Sequence, residues 1–148
     1  MRIWEDYHGV RGVRLYDGTP EGAVEGATIA LVALTHGNEI VGRGVFERLE
    51  REAPQKLVSG RILAIRANLE AAQLDLRHTE DGVDLNRLFD KSTLTSLKRM
   101  PHESLCYEER RALELAPLLV KCDAVLDLHS TSRPSEPFLL FRDDQRHA

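Results

Sequence analysis

Two cysteines, Cys106 and Cys122, are all that this chain of 148 residues has. They are too few for a disulfide scaffold and lack the paired spacing of a zinc finger, so they read as reduced, part-buried thiols of a cytoplasmic protein. Basic charge is not in excess either. Twenty Lys and Arg stand against 24 Asp and Glu, a formal net charge of −4, and no basic stripe is clustered in the way a nucleic-acid partner requires. A small anionic substrate is not excluded, because a cleft can be locally positive on an acidic protein.

Long apolar runs are also missing. The longest, Ile29 to Leu34, is a strand's worth and cannot cross a bilayer. The start of the chain carries charges throughout and has no apolar core segment, so it is no secretory signal. No internal repeat, low-complexity tract or linker divides the sequence. These absences predict one cytoplasmic domain over residues 1–148, long enough to bury a real core.

What is present is an alternation of strand and helix signals. Residues Ala27 to Leu34 are continuously apolar and rich in β-branched side chains, the pattern of a strand buried on both faces. A helix is predicted from Glu39 to Ala53, where Ile40, Val41, Val45, Phe46 and Leu49 recur at helical spacing. Pro54 is expected to stop it. A second strand is predicted over Arg61 to Asn68, followed by a weakly patterned stretch as far as the Asp81-Gly82 turn. A helix is expected over Glu103 to Lys121, bent or ended early by Pro117. Strands are expected at Val125–Leu128 and Phe138–Phe141. The implied fold is α/β, a mostly parallel or mixed sheet flanked by helices.

Chemistry-bearing residues fall at the strand ends. His36-Gly37-Asn38-Glu39 sits where the first buried strand hands over to a helix, beyond the carboxyl end where open α/β sheets place their ligands. With Glu39 in the helix's first turn, His36 and Glu39 can converge. A catalytic zinc takes three protein groups and keeps one position open. His129 is the third candidate, because it ends Ala124–Leu128 and a parallel sheet brings it to the same edge. Asp84-Leu85-Asn86-Arg87, preceded by Arg77, combines a planar guanidinium fork suited to carboxylates with a neighbouring amide. On those four residues alone, a capped, solvent-facing helix start is the favoured reading.

Taken in order, Thr35–Glu39, then Arg77 with Asp81–Phe89, then Leu126–Ser132 resemble the three signatures of the succinylglutamate desuccinylase/aspartoacylase family. That family belongs to the zinc carboxypeptidase-like hydrolases. The resemblance implies one Zn²⁺ per chain on His36, Glu39 and His129. It further implies Asn86 and Arg87 as binders of the substrate's terminal carboxylate, Arg77 as the group polarising the scissile carbonyl, and Asp84 as the carboxylate orienting the first histidine. The activity expected is amide hydrolysis of a small anionic N-acyl amino acid.

The spacing from Arg77 to the Asp-Leu-Asn-Arg box is longer than the aspartoacylase pattern. Ser130–Arg133 matches neither a desuccinylase nor an aspartoacylase continuation, so the acyl group is not read from it. Family members take their general base from a glutamate farther downstream than Ala148, for which Glu21 and Glu25 are poor substitutes. The chain is therefore expected to carry the N-terminal portion of the catalytic domain. Two other readings stay open: a carboxypeptidase-like peptidase, and a zinc-binding module without turnover. Association into a homo-oligomer is also open. His8, His78, His102 and His147 are read as surface or structural, with His78 the nearest to the pocket.

Overall fold

The computed structural model describes residues 6–24, 26–131 and 133–140. Four strands form one sheet: β1 (Val13–Asp17), β2 (Thr28–Ala33), β3 (Arg61–Arg66) and β4 (Ala124–Leu128), in the order β1-β3-β2-β4. β2 pairs in parallel with both β3 and β4, and β1 lies antiparallel on β3. The register sets Ala33 against Arg66 and Leu128. Three parallel strands thus end together, and the residues that follow β2 and β4 emerge at one edge.

Side chains alternate between the faces of this sheet, as the two-residue period of a strand requires. Ala30, Val32, Leu63 and Ile65 form one core with Val13, Leu85, Ala112 and Leu115. Ala33, Leu34 and Ala64 form the other with Phe46, Ala53 and Ala72. The helices that supply the partners are α1 (Val41–Lys56), α2 (Leu69–Leu74) and α4 (Tyr107–Leu119); a short α3 (Lys91–Leu97) packs on α4. Phe46 is completely buried, and truncating such a side chain to Ala costs about 3–5 kcal/mol. The α/β class with a mixed sheet and flanking helices is as the sequence implies.

Several boundaries differ. α1 begins at Val41, so Glu39 precedes the helix instead of occupying its first turn. Pro54 lies inside α1, which continues to Lys56. Pro117 likewise lies inside α4, which starts at Tyr107 and reaches Leu119. Each proline stands two positions before the last residue of its helix, where the missing donor interrupts only the last turn. β1, α2 and α3 are additional to the expected elements. Phe138, Leu139 and Leu140 are exposed and belong to no strand, and Phe141 lies outside the described residues.

The connection at the end of β2 is held closely. Leu34, fully buried, adopts a left-handed conformation at φ 60°, a geometry that costs a non-glycine residue roughly 1–2 kcal/mol. Its carbonyl accepts from the Asn68 amide at 2.9 Å, while Ala67 donates to Ala33 at 2.8 Å. From the other face, the buried Arg111 of α4 donates to the Ala67 and Arg66 carbonyls at 2.7 and 3.0 Å. The strained turn is thereby fixed from two sides, and it delivers Thr35 and His36 to the sheet edge.

Candidate metal centre

His36 is almost fully buried, with 4% of its surface exposed. Its Nδ1 lies 2.7 Å from Oε1 of Glu39, and its Nε2 lies 3.0 Å from Oδ1 of Asp84. His129, directly after β4, repeats the arrangement: Nδ1 is 3.0 Å from Oε2 of Glu39 and Nε2 is 2.8 Å from Oδ2 of Asp127. The two imidazoles are 4.9 Å apart between centroids. His36, Glu39 and His129 each offer a ligand atom, and these atoms lie within 4.8 Å of one another. Both histidines turn the same ring nitrogen inward and present the other to a carboxylate.

Gly37 makes room for this loop. A Cβ at residue 37 would stand 2.2 Å from the carbonyl carbon of Ala71 in α2, so no larger residue fits without moving one of the two backbones. The Glu39 amide then donates to the His36 carbonyl at 3.0 Å, a turn that brings the carboxylate back beside the imidazole. Glu39 also receives the Ser130 amide at 2.8 Å, linking the segments that follow β2 and β4. Burial opposes ionisation of Glu39, but the Ser130 amide and the two histidines outweigh it and hold its carboxyl below the usual value.

Asp84 has two functions in the fold. It caps a 3₁₀ turn (Leu85–Arg87) by accepting the Asn86 amide at 3.0 Å, and it accepts from Arg77 at 2.8 Å. With His36 it thus meets three donors. Burial works against its charge, yet the bonds from Arg77, His36 and Asn86 lower its pKa to about 2. The capped-turn reading and the site reading of Asp84 describe one residue. Arg77 is half-exposed and anchored through this carboxylate. Arg87 is exposed, and among the described residues its guanidinium has no partner.

Asp127 is the residue the sequence reading missed. It accepts the Thr35 hydroxyl at 2.8 Å through Oδ1 and meets His129 through Oδ2. Its hydrogen bond, more than burial opposes, raises the pKa of His129. The signal was available, since residues i and i+2 of a strand project to the same side and Asp127 stands two before His129. A mostly apolar cavity of about 760 Å³ on the α4 face has Thr35, Asn86 and Asp127 in its wall but none of the three converging residues. His78, half-buried, bonds the Thr79 carbonyl at 2.8 Å. His8 and His102 stand outside the cluster, and His147 lies outside the described residues.

The family model of the succinylglutamate desuccinylase/aspartoacylase catalytic domain matches residues 25–148. The chain belongs to that family. Solved structures with the same fold include a succinylglutamate desuccinylase from Vibrio parahaemolyticus, 26% identical with a TM-score of 0.63. The match covers 85% of this chain and 42% of that one. An aspartoacylase family protein from Mesorhizobium loti is 29% identical, with a TM-score of 0.59 and coverage of 80% and 40%. Murine aminoacylase 3 is 27% identical, with a TM-score of 0.56 and coverage of 73% and 36%. The chain therefore spans about two fifths of the length of these desuccinylase/aspartoacylase relatives. No curated protein matches it. Family members are hydrolases of the deacylase type acting on N-acyl amino acids.

Proposed function

We propose that this chain carries the metal- and carboxylate-binding part of a zinc-dependent deacylase that hydrolyses the amide bond of an N-acyl amino acid. One observation supports this above the others: two histidines from separate strand ends aim Nδ1 at one glutamate, each with Nε2 held by its own aspartate. The donor set suits zinc, which takes imidazole nitrogen and carboxylate oxygen at about 2.0–2.2 Å. Metal-ligating histidines characteristically give their other ring N–H to a carboxylate. The contacts of Asp84 with His36 Nε2 and of Asp127 with His129 Nε2 support that role for both.

His36, Glu39 and His129 would hold the ion, which when bound supplies a Lewis acid for the scissile carbonyl and acidifies a water to a pKa of about 7. Arg77, fixed by Asp84, would place a guanidinium where negative charge develops on the carbonyl oxygen; one such donor is worth roughly 3–4 kcal/mol. Arg87 and Asn86 would fix the substrate's carboxylate and turn binding energy into orientation. The guanidinium of Arg87, exposed and without a partner among the described residues, favours an anionic substrate.

The carboxylates of Glu39, Asp84 and Asp127 are each engaged with a histidine. Among the described residues of the cluster, none is left to take a proton from the attacking water. We therefore expect zinc and substrate binding by this chain with weak turnover. Calorimetry with an N-acetyl or N-succinyl amino acid tests the reading. Binding should require zinc and the ligand's free α-carboxylate, and equal binding by the metal-free protein would contradict it.

A further inference from the structure

Glu108 of α4 is a charged side chain with no solvent exposure, and it lies outside the His36–Glu39–His129 cluster. Its Oε1 accepts the Thr79 amide at 2.7 Å and the Asn68 side-chain amide at 3.1 Å; its Oε2 accepts the Thr79 hydroxyl at 3.0 Å. The loop wraps the carboxylate so tightly that a Cβ on Gly82 would lie 1.9 Å from Oε2. The Gly82 amide closes the turn on the Thr79 carbonyl at 3.0 Å. Burial disfavours the charge, but the Thr79 and Asn68 hydrogen bonds outweigh it and keep the carboxyl below its usual value.

A buried carboxylate without partners is strongly disfavoured, so the bonds that satisfy it also fix what they come from. The loop from Arg77 to Asp84 carries both its end residues to the site, where they bond each other at 2.8 Å and Asp84 meets His36 at 3.0 Å. Asn68 caps α2 by accepting the Ala71 amide at 3.2 Å, and α2 packs against Gly37 beside His36. Glu108 thus ties α4 to both segments that border the first histidine.

We propose that Glu108 is a positioning residue for the metal centre: by anchoring Thr79 and Asn68 it sets the loop that presents Asp84 to His36 and carries Arg77. It touches none of the converging atoms itself. The inference rests on the zinc reading for its effect on metal, but the anchoring can be measured without metal.

The test uses the full chain with Glu108→Ala, Glu108→Gln, Gly82→Ala and, as a control, Leu115→Ala, which removes a buried core side chain of the same helix. Zinc dissociation constants come from competition with a chromophoric chelator, and hydrogen exchange of the 77–84 segment is followed in metal-free protein. Glu108→Ala should weaken zinc about tenfold, the lower end for loss of an outer partner of a metal ligand, and accelerate exchange in the loop. Glu108→Gln, able to accept the same two N–H groups and return a donor to the Thr79 hydroxyl, should stay within about threefold of wild type. Gly82→Ala should reproduce the defect from the opposite side of the contact, and it serves if Glu108→Ala does not fold. Leu115→Ala should lower the melting temperature with zinc affinity unchanged.

Wild-type zinc affinity in both loop variants, or an equal loss in Leu115→Ala, would overturn the proposal. So would unchanged exchange of the loop. If wild-type protein bound no zinc, the deacylase reading would fall, and exchange alone would decide whether Glu108 anchors the loop.

Discussion

Asp127 and His129, two residues apart across the end of β4, meet through Oδ2 and Nε2 at 2.8 Å. Because Asp127 also accepts the Thr35 hydroxyl from the end of β2, it fixes the angle of the imidazole against the neighbouring strand. Asp127→Ala should therefore lower zinc affinity about 10- to 100-fold, the usual effect of removing an outer carboxylate from a ligating histidine. A chelator competition titration at constant pH measures it. An unchanged dissociation constant would show that Asp127 does not support His129 as a ligand.

Gly37 and Gly44 provide a paired test of how the loop after β2 is built. A Cβ at residue 37 meets the α2 backbone at 2.2 Å, whereas one at residue 44, inside α1, meets nothing within 4 Å. Gly37→Ala should destabilise the protein by at least about 1–3 kcal/mol, as overpacking does, and weaken zinc. Gly44→Ala should stabilise it by up to about 1 kcal/mol through helix propensity alone. Urea unfolding of both variants checks the signs.

Arg87 is predicted to act on substrate and not on metal. Its exposed guanidinium has no described partner, so Arg87→Ala should leave stability and zinc content unchanged. It should weaken an N-acyl amino acid by about 1.5–3 kcal/mol, the range for a hydrogen bond to a charged group, or roughly 10- to 100-fold. The α-amide of the same compound should bind wild type and variant equally poorly. An undiminished preference for the free carboxylate after the substitution would assign its recognition elsewhere.

The outline of the fold was legible wherever burial was two-sided or helical spacing was long. β2 is the short apolar run that a parallel strand inside a helix-covered sheet demands, β4 reads the same way although it lies at the sheet edge with Ala124, Val125 and Leu126 exposed, and α1 shows its apolar face over several turns. β1 was hidden because an antiparallel edge strand tolerates Arg14 and Asp17, and glycines flank it at positions 12 and 18. α2 and α3, of six and seven residues, are too short for a 3.6-residue period to register. His36, Glu39 and His129 could be read from strand-end placement. Asp127 was legible only through its two-residue spacing from His129, a weak mark for a single acid within an apolar strand. Glu108 was concealed by distance, because its partners are 29 and 40 residues away.

Acid stability should report on Glu108. Its folded pKa lies below the ordinary value of 4.5, so its contribution is present above that value and is lost as the pH falls through the lowered one. Metal-free wild-type protein should exceed Glu108→Gln in stability at pH 7, and the gap should shrink as the pH drops below about 4.5. Urea unfolding at three or four pH values measures it. A gap that widens in acid would mean that the buried carboxylate destabilises the fold.

Metal content tests whether His36, Glu39 and His129 hold a zinc ion. Protein dialysed against zinc and then against metal-free buffer should retain one equivalent by elemental analysis, and His36→Ala and His129→Ala should each lose it while remaining folded by circular dichroism. One equivalent retained by both variants, or none by the wild type, would contradict the assignment.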